Sequence, residues 1–351
     1  MDEEVMASNT AIPPSRALPT RPLGRTGLPV SALGFGGAPL GDLYALIDEE
    51  QAVETVVTAL SSGVTLLDTS PLYGHGLSEH RIGAALRRVP GAKAVISTKV
   101  GRVMEPFAPL GDGSGYLGGL PHAARFDYSY DGAMRSLEQS ALRLGVDHLD
   151  IVLIHDVDVW THGPKAIEGR FRDAMEGAYP ALAKLRDAGA IRAIGVGVNE
   201  AEMAERFARV GDFDAMLLAG RYSLLEQPAL TSFLPLALEK GIGIMLGGVF
   251  NSGILATGAV PGAKYNYRDA PPEIMARVAQ LETVCHQHHT PLFRAALHFA
   301  LGHPAVASVV LGAVTPGEVT AQIAAMAAPP PASLWAALKA EGLLNAGAPT
   351  P

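Results

Sequence analysis

Three apolar runs in this chain each end on an ionisable side chain. Val64-Thr65-Leu66-Leu67 leads to Asp68, Ala94-Val95-Ile96-Ser97-Thr98 to Lys99, and Ile151-Val152-Leu153-Ile154 to His155. A charge at the end of such a run is costly unless it is paired, and an acid and a base on neighbouring strands can pair. Taken singly, each also reads as a structural ion pair or a satisfied polar residue at the rim. Together they point to one site. Tyr73 follows in Asp68-Thr69-Ser70-Pro71-Leu72-Tyr73, where a turn returns the phenol over the same pocket. Beside a lysine ammonium a phenolate is stabilised, so the Tyr73 pKa is expected to fall toward the working range. Such a tyrosine serves as a general acid or base.

The elements that must position these residues alternate. Eight short apolar runs read as strands: Ala32–Gly36, Val64–Asp68, Ala94–Lys99, Leu149–His155, Ala193–Val198, Ala215–Ala219, Ile242–Leu246 and Val306–Leu311. They are continuous rather than alternating, as in strands buried on both faces of a parallel sheet. Helical periodicity fills the gaps. Ala52, Val53, Val56, Val57 and Leu60 share a face, as do Met134, Leu137, Ala141 and Leu144. Gly63, Gly145 and Gly189 stand where helix C-caps belong. Eight strand–helix units predict an α/β fold, a (β/α)8 TIM barrel, in which strand ends converge on one pocket. The rival is a doubly wound open sheet. Against it, Gly34-Phe35-Gly36-Gly37 runs into a long loop and not directly into a helix.

Arg21–Val30 predicts a β-hairpin capping one end. Two stretches after strands, Gly101 to about Asp127 and Asp156 to about Arg170, are expected as long loops shaping a substrate site. Residues 21–345 form a single domain. Met1–Thr20 is expected to be a mobile leader, and Ala346–Pro351 a frayed tail.

Composition narrows the function. The net charge is -8 with no Lys/Arg-rich run, which argues against nucleic acid or an anionic membrane as partner. No run of apolar residues is long enough to span a bilayer. Cys285 is the lone cysteine, which suits a reducing, cytoplasmic setting. A small-molecule substrate and a monomer or small homo-oligomer are expected.

The motifs Arg21-Pro22-Leu23-Gly24-Arg25-Thr26-Gly27, Leu67-Asp68-Thr69-Ser70-Pro71-Leu72-Tyr73-Gly74, Ser97-Thr98-Lys99-Val100-Gly101 and Asp150–His155 resemble the aldo-keto reductase superfamily. The resemblance runs from about Arg21 to about Gln322. It implies that Asp68, Tyr73, Lys99 and His155 are a catalytic tetrad. Tyr73 transfers the proton, Lys99 tunes it, Asp68 holds Lys99, and His155 orients the substrate oxygen. Hydride passes directly to or from a nicotinamide, with no metal.

The same resemblance places the cofactor. Asn199, in Ile194-Gly195-Val196-Gly197-Val198-Asn199, is the candidate for the carboxamide, although Gly197 replaces the family's serine. Tyr222, Gly247, Asn251 and Ser252 are further cofactor candidates; Ala219 and Gly247 stand where a glutamine and an aromatic residue are usual. Gly312 and Glu318 occupy positions that carry cations in NADP-preferring members, and Gln322 is a candidate for the adenine edge. An acid at Glu318 repels a 2'-phosphate, so NAD is expected over NADP. Tyr116, Trp160 and His162 are candidates for holding substrate.

The glycine pairs, His155-Asp156 and the Val249–Gly253 loop resemble a branch holding D-threo-aldose 1-dehydrogenase (L-fucose or galactose dehydrogenase) and pyridoxal 4-dehydrogenase. That implies oxidation of the anomeric C1 of an aldose, such as L-fucose, L-galactose or D-arabinose, to its lactone. Alternatives are a pyridoxal 4-dehydrogenase, a broad NADPH-dependent aldehyde/ketone reductase, or a non-catalytic cofactor-sensing subunit.

Overall fold

The computed structural model describes residues 18–108 and 115–351. The expected leader lies outside them up to residue 17. Leu18 is already buried, and Thr20 begins a strand.

All eight expected strands form. They are β1 (Leu33–Gly36), β2 (Leu66–Asp68), β3 (Val95–Val100), β4 (Ile151–His155), β5 (Ala193–Val198), β6 (Ala215–Ala219), β7 (Gly243–Gly247) and β8 (Val306–Gly312). They close in sequence order into an all-parallel barrel. Two apolar layers explain the continuous runs. Leu66, Ile151, Leu153, Leu217 and Met245 fill the barrel interior, while Leu67, Ile96, Val152 and Ile194 face the outer helices. Burial at roughly 25 cal/mol per Å² on both faces favours strands with no polar side.

The hairpin forms as Thr20–Pro22 paired antiparallel with Pro29–Ser31. It seals the N-terminal end of the barrel: Leu23, Leu28 and Val30 join the interior layer, and the Arg25 amide donates to the Gly241 carbonyl. A Cβ on Gly24 would lie 2.3 Å from Gly241 O, so only glycine lets the hairpin seat this closely.

The second expected long loop is replaced by a helix, and the first is framed by a ribbon at its two ends. After β3, Arg102–Glu105 pairs with Ala123–Phe126 as an antiparallel ribbon. After β4, a helix starts at Val159 and runs to Asp173, with the Asp158 carboxylate accepting from the Thr161 amide at its N-terminus. The Gly163-Pro164 pair breaks its regularity, with Gly163 at φ 72°, and that break obscures the helical period in the sequence. The tail expected to fray is held at Ala348, which is buried and accepts from Lys339 Nζ at 2.8 Å. Among the described residues no helix is long and apolar enough to cross a membrane.

Candidate active site

At the C-terminal mouth of the barrel, β2 and β3 bring Asp68 and Lys99 side by side. Lys99 Nζ donates to Asp68 Oδ2 at 2.7 Å and to the Thr69 carbonyl at 2.8 Å, and Ser97 Oγ donates to Asp68 Oδ1 at 2.8 Å. Lysine and aspartate are almost fully buried, so each is the other's charge compensation. The Lys99 ammonium lies 4.7 Å from the centre of the Tyr73 ring.

Tyr73 is delivered by the tight turn after β2. Gly41 and Gly74 pack back to back there: a Cβ on Gly41 would lie 2.3 Å from Gly74 N. The His155 ring approaches Tyr73 edge-on at 6.0 Å. The tetrad implied by the resemblance therefore converges in space.

One expectation reverses. The Tyr73 pKa is raised well above the ordinary phenol value, first by burial, then by the Asp68, Asp156 and Tyr267 charges, with Arg102 opposing. Asp68 offsets the Lys99 charge, so the ammonium does not outweigh burial at the phenol. His155 is held well below the ordinary imidazole range by burial and by the Arg102 and Lys99 cations, and is neutral.

A cavity of about 840 Å³ opens above these residues, walled by Tyr44, Tyr116, Trp160 and Tyr267, with Tyr73 and His155 in its lining. A second branch of about 450 Å³ shares Tyr73, Leu217 and Ala219 with it and runs over Gly36, Gly247, Ser252 and Gly312.

Most of the expected contacts line this cleft. Tyr116 lies 6.3 Å from the Tyr73 ring, and Trp160 borders the cavity on the first turn of its helix. Asn199 borders it too, with Nδ2 donating to Asp158 Oδ2 at 3.1 Å. Gly247, Ser252 and Gly312 line the second branch. Asn251 borders a small recess beside them, and its side chain is engaged by Ser223 and Glu226.

Two expectations fail. Tyr222 is turned into the core, stacked on Phe299 at 5.0 Å, because the chain bends at Gly220 (φ 69°) as it leaves β6. Arg221 borders the recess instead. His162 faces the ribbon, 3.0 Å from the Tyr128 hydroxyl and 4.5 Å from the Phe126 ring, and Thr161 takes the place in the cavity lining. Glu318 and Gln322 stand outside the lining of the cleft. The Glu318 carboxylate accepts from Val314 N at 2.8 Å, and Gln322 Nε2 donates to Gly312 O at 2.9 Å, so both brace the turn after β8.

Four residues of the site are missed by sequence reasoning: Ser70, Arg102, Asp156 and Tyr267. Arg102 gave a signal, since a guanidinium between Val100 and Val103 needs a buried partner. It finds Asp156 at 2.9 Å. Tyr267 gave none. It sits with Asn266 at positive φ in a two-residue turn over the cleft, where glycine would be usual.

The glycine-floored branch fits a dinucleotide: a backbone floor admits a long ligand, Ser252 offers a polar group along it, and Asn199 offers another in the adjoining cavity. Comparison with known proteins agrees with this architecture. Residues 32–341 match the model of the aldo/keto reductase family. Pyridoxal 4-dehydrogenase of Microbacterium luteolum is 41% identical, covering 94% of this chain and 99% of its own. D-threo-aldose 1-dehydrogenase of a Pseudomonas species is 36% identical, covering 93% and 97%. Among solved structures, the holo form of an aldo-keto reductase from Bacillus halodurans superposes with a TM-score of 0.73 at 25% identity, covering 94% of this chain and 97% of that one. A closed eight-stranded barrel, a Tyr-Lys-Asp-His cluster at its mouth and these likenesses place the chain in the aldo/keto reductase family, as an NAD(P)-dependent oxidoreductase.

Proposed function

We propose that this enzyme oxidises the ring hydroxyl of a small cyclic hemiacetal to a lactone, with NAD as the preferred cofactor. Pyridoxal and aldoses both close onto such rings, and the two relatives named above act on these two kinds of substrate. The observation that carries the reading is the aromatic cavity over Tyr73 and His155, opening directly into the glycine-floored branch. Its walls offer aromatic faces, so they favour a flat ring. Of the two classes pyridoxal suits them better; a sugar presents only its C–H face and leaves several hydroxyls to satisfy.

The bound cofactor supplies the hydride acceptor. The chain's residues do the rest. Neutral His155 donates to the hemiacetal oxygen and orients it. Tyr73, as phenolate, takes the hydroxyl proton as the C–H bond gives up hydride, and the C–O bond becomes a carbonyl. The buried Lys99–Asp68 pair holds the ammonium against the Tyr73 ring, favouring the phenolate that accepts the proton. Because burial and the neighbouring carboxylates raise the Tyr73 pKa, oxidation must speed up as pH rises toward the alkaline range. Reduction, which needs the protonated phenol, is favoured at lower pH.

Two features support NAD over NADP. A Cβ on Gly312 would lie 2.5 Å from Pro39 Cγ, so no lysine fits there unless Pro39 moves. Glu318 places a carboxylate at the same turn, where a 2'-phosphate would be repelled.

The test is an initial-rate panel of pyridoxal, L-fucose, L-galactose and D-arabinose with NAD and with NADP, across neutral to alkaline pH. Turnover of pyridoxal with NAD, at least about tenfold above the sugars in kcat/KM, is expected. Equal or better sugar rates would move the assignment to aldose C1. Absence of NAD-linked turnover with all four, or faster turnover with NADP, would overturn it.

A further inference from the structure

The polar groups around His155 fall into donors on one side and an acceptor on the other. Ser70 Oγ lies 3.1 Å from His155 Nδ1, and Arg102 Nη1 lies 3.3 Å from the same nitrogen. A guanidinium has no acceptor. Ser70 Oγ already accepts from the Leu72 amide at 3.1 Å, which leaves its proton free to point at the ring. Two donors thus converge on Nδ1, which must be the bare nitrogen. On the opposite side Asp156 Oδ1 lies 3.4 Å from Nε2, near enough for its charge to favour N–H over a lone pair there while the N–H stays available to a substrate oxygen.

The donors are themselves fixed. Arg102 Nη2 is paired with Asp156 Oδ2 at 2.9 Å, its guanidinium lies over the Phe126 ring at 4.4 Å, and its carbonyl accepts from Ser136 Oγ. Asp156 in turn accepts from Asn199 Nδ2 at 3.3 Å and adopts a φ of 54°, a strained conformation for a non-glycine residue. The strain aims its carboxylate back at the histidine that precedes it. Arg102, Asp156 and His155 are all buried.

We propose that Arg102, anchored by Asp156 and aided by Ser70, is a positioning residue that locks His155 as the neutral Nε2–H tautomer, so that it meets the substrate oxygen only as a donor. The wrong tautomer would present a lone pair to that oxygen and lose the interaction. The charge of Arg102 adds a second effect. The titratable groups around His155 are Asp156 beside it, Lys99 on the adjoining strand β3, Asp68 on β2 beyond it, Tyr73 and Tyr116 on the loops, and Arg102 on the ribbon. Burial, Arg102 and Lys99 together oppose a second proton on the ring.

The proposal rests on His155 being the group that faces the reacting oxygen, but the tautomer can be read in the free enzyme. The probe is long-range proton–nitrogen NMR of the histidine rings, with His155 assigned by its loss in His155→Gln. In the wild type Nε2 should carry the proton, Nδ1 should be bare, and the ring should stay neutral below the ordinary imidazole value of 6.5. Arg102→Met should raise the His155 midpoint by about one pH unit, since removing a nearby cation favours the charged ring. The acid limb of kcat/KM should move with it and kcat should fall about tenfold, while NAD affinity, read by fluorescence quenching, stays unchanged. Arg102→Lys keeps the cation, so its midpoint should stay near the wild type. A protonated Nδ1 in the wild type would overturn the proposal, and that measurement needs no variant. So would a folded Arg102→Met with the wild-type midpoint. If the lock is seen and no hemiacetal turns over, the substrate reading fails and the lock stands.

Discussion

Strands β2 and β4 end in Asp68 and His155 and β3 carries Lys99 one residue before its end, whereas β6, β7 and β8 end in Ala219, Gly247 and Gly312. The first set is a closed account of charge: Lys99 meets Asp68 at 2.7 Å, and Arg102 meets Asp156 at 2.9 Å beside His155. The second set contributes space. Glycine and alanine at the strand ends leave the branch of about 450 Å³ floored by backbone. Chemistry is written in side chains that must satisfy one another, and cofactor accommodation in side chains that are missing.

That contrast breaks most sharply at Tyr73. Tyr73→Phe removes the proton-transfer group without opening a hole, and the Lys99–Asp68 pair survives. We expect hydride transfer to fall by a factor on the order of 10³ or more, with NAD affinity unchanged by fluorescence quenching. Activity within tenfold of the wild type would show that the charged half of the mouth does not perform the proton transfer. The change at Tyr73 separates the halves because the branch lined by Gly247 and Gly312 is left intact.

The two halves also differ in what the sequence could say. Asp68, Lys99 and His155 were visible as charges ending apolar runs, since the cost of burying a charge is local information. The eight strands were visible for a related reason: burial on both faces writes itself as an unbroken apolar run. Tyr73 needed the family resemblance, because its place depends on a turn and not on a period. Tyr222 and His162 went wrong because side-chain direction after a strand end depends on one backbone bend, at Gly220 and at the start of the Val159–Asp173 helix. The ribbon Arg102–Glu105 with Ala123–Phe126 was hidden by its glycine-rich surroundings, and with it went Arg102.

Not every glycine of the barrel is room for a ligand, and β5, between the two sets of strands, holds both kinds. A Cβ on Gly195 would lie 1.8 Å from Ala215 O, inside the neighbouring strand. A Cβ on Gly197 would meet nothing nearer than Lys99 Cε at 3.5 Å, an ordinary contact. Gly195→Ala should destabilise the fold by about 3 kcal/mol or more, since an overpacked site backed by main chain has nowhere to relax. Gly197→Ala should change stability by less than about 0.5 kcal/mol and act, if at all, on KM. Chemical denaturation of both variants checks this. Equal losses would mean that both glycines serve strand packing and that the mouth is not opened at Gly197.

The smallest expected effect lies at the far end of the cofactor branch. Glu318 has two tasks there: its carboxylate accepts from Val314 N and braces the helix Pro316–Met326, and its charge faces the turn carrying Gly312. Glu318→Gln keeps an acceptor and removes the charge, so helix capping and thermal stability should be almost unchanged. If the carboxylate repels a 2'-phosphate, the NADP-to-NAD ratio of kcat/KM should rise about three- to tenfold, which corresponds to roughly 1 kcal/mol of screened repulsion. The rise should shrink with added salt, as an exposed charge requires. A ratio that stays constant with salt and substitution would leave the Gly312–Pro39 contact as the sole discriminator: there the backbone of β8 meets Pro39 and leaves no room for a cation. Cofactor choice would then be set in this half of the mouth by shape alone, with no charge involved.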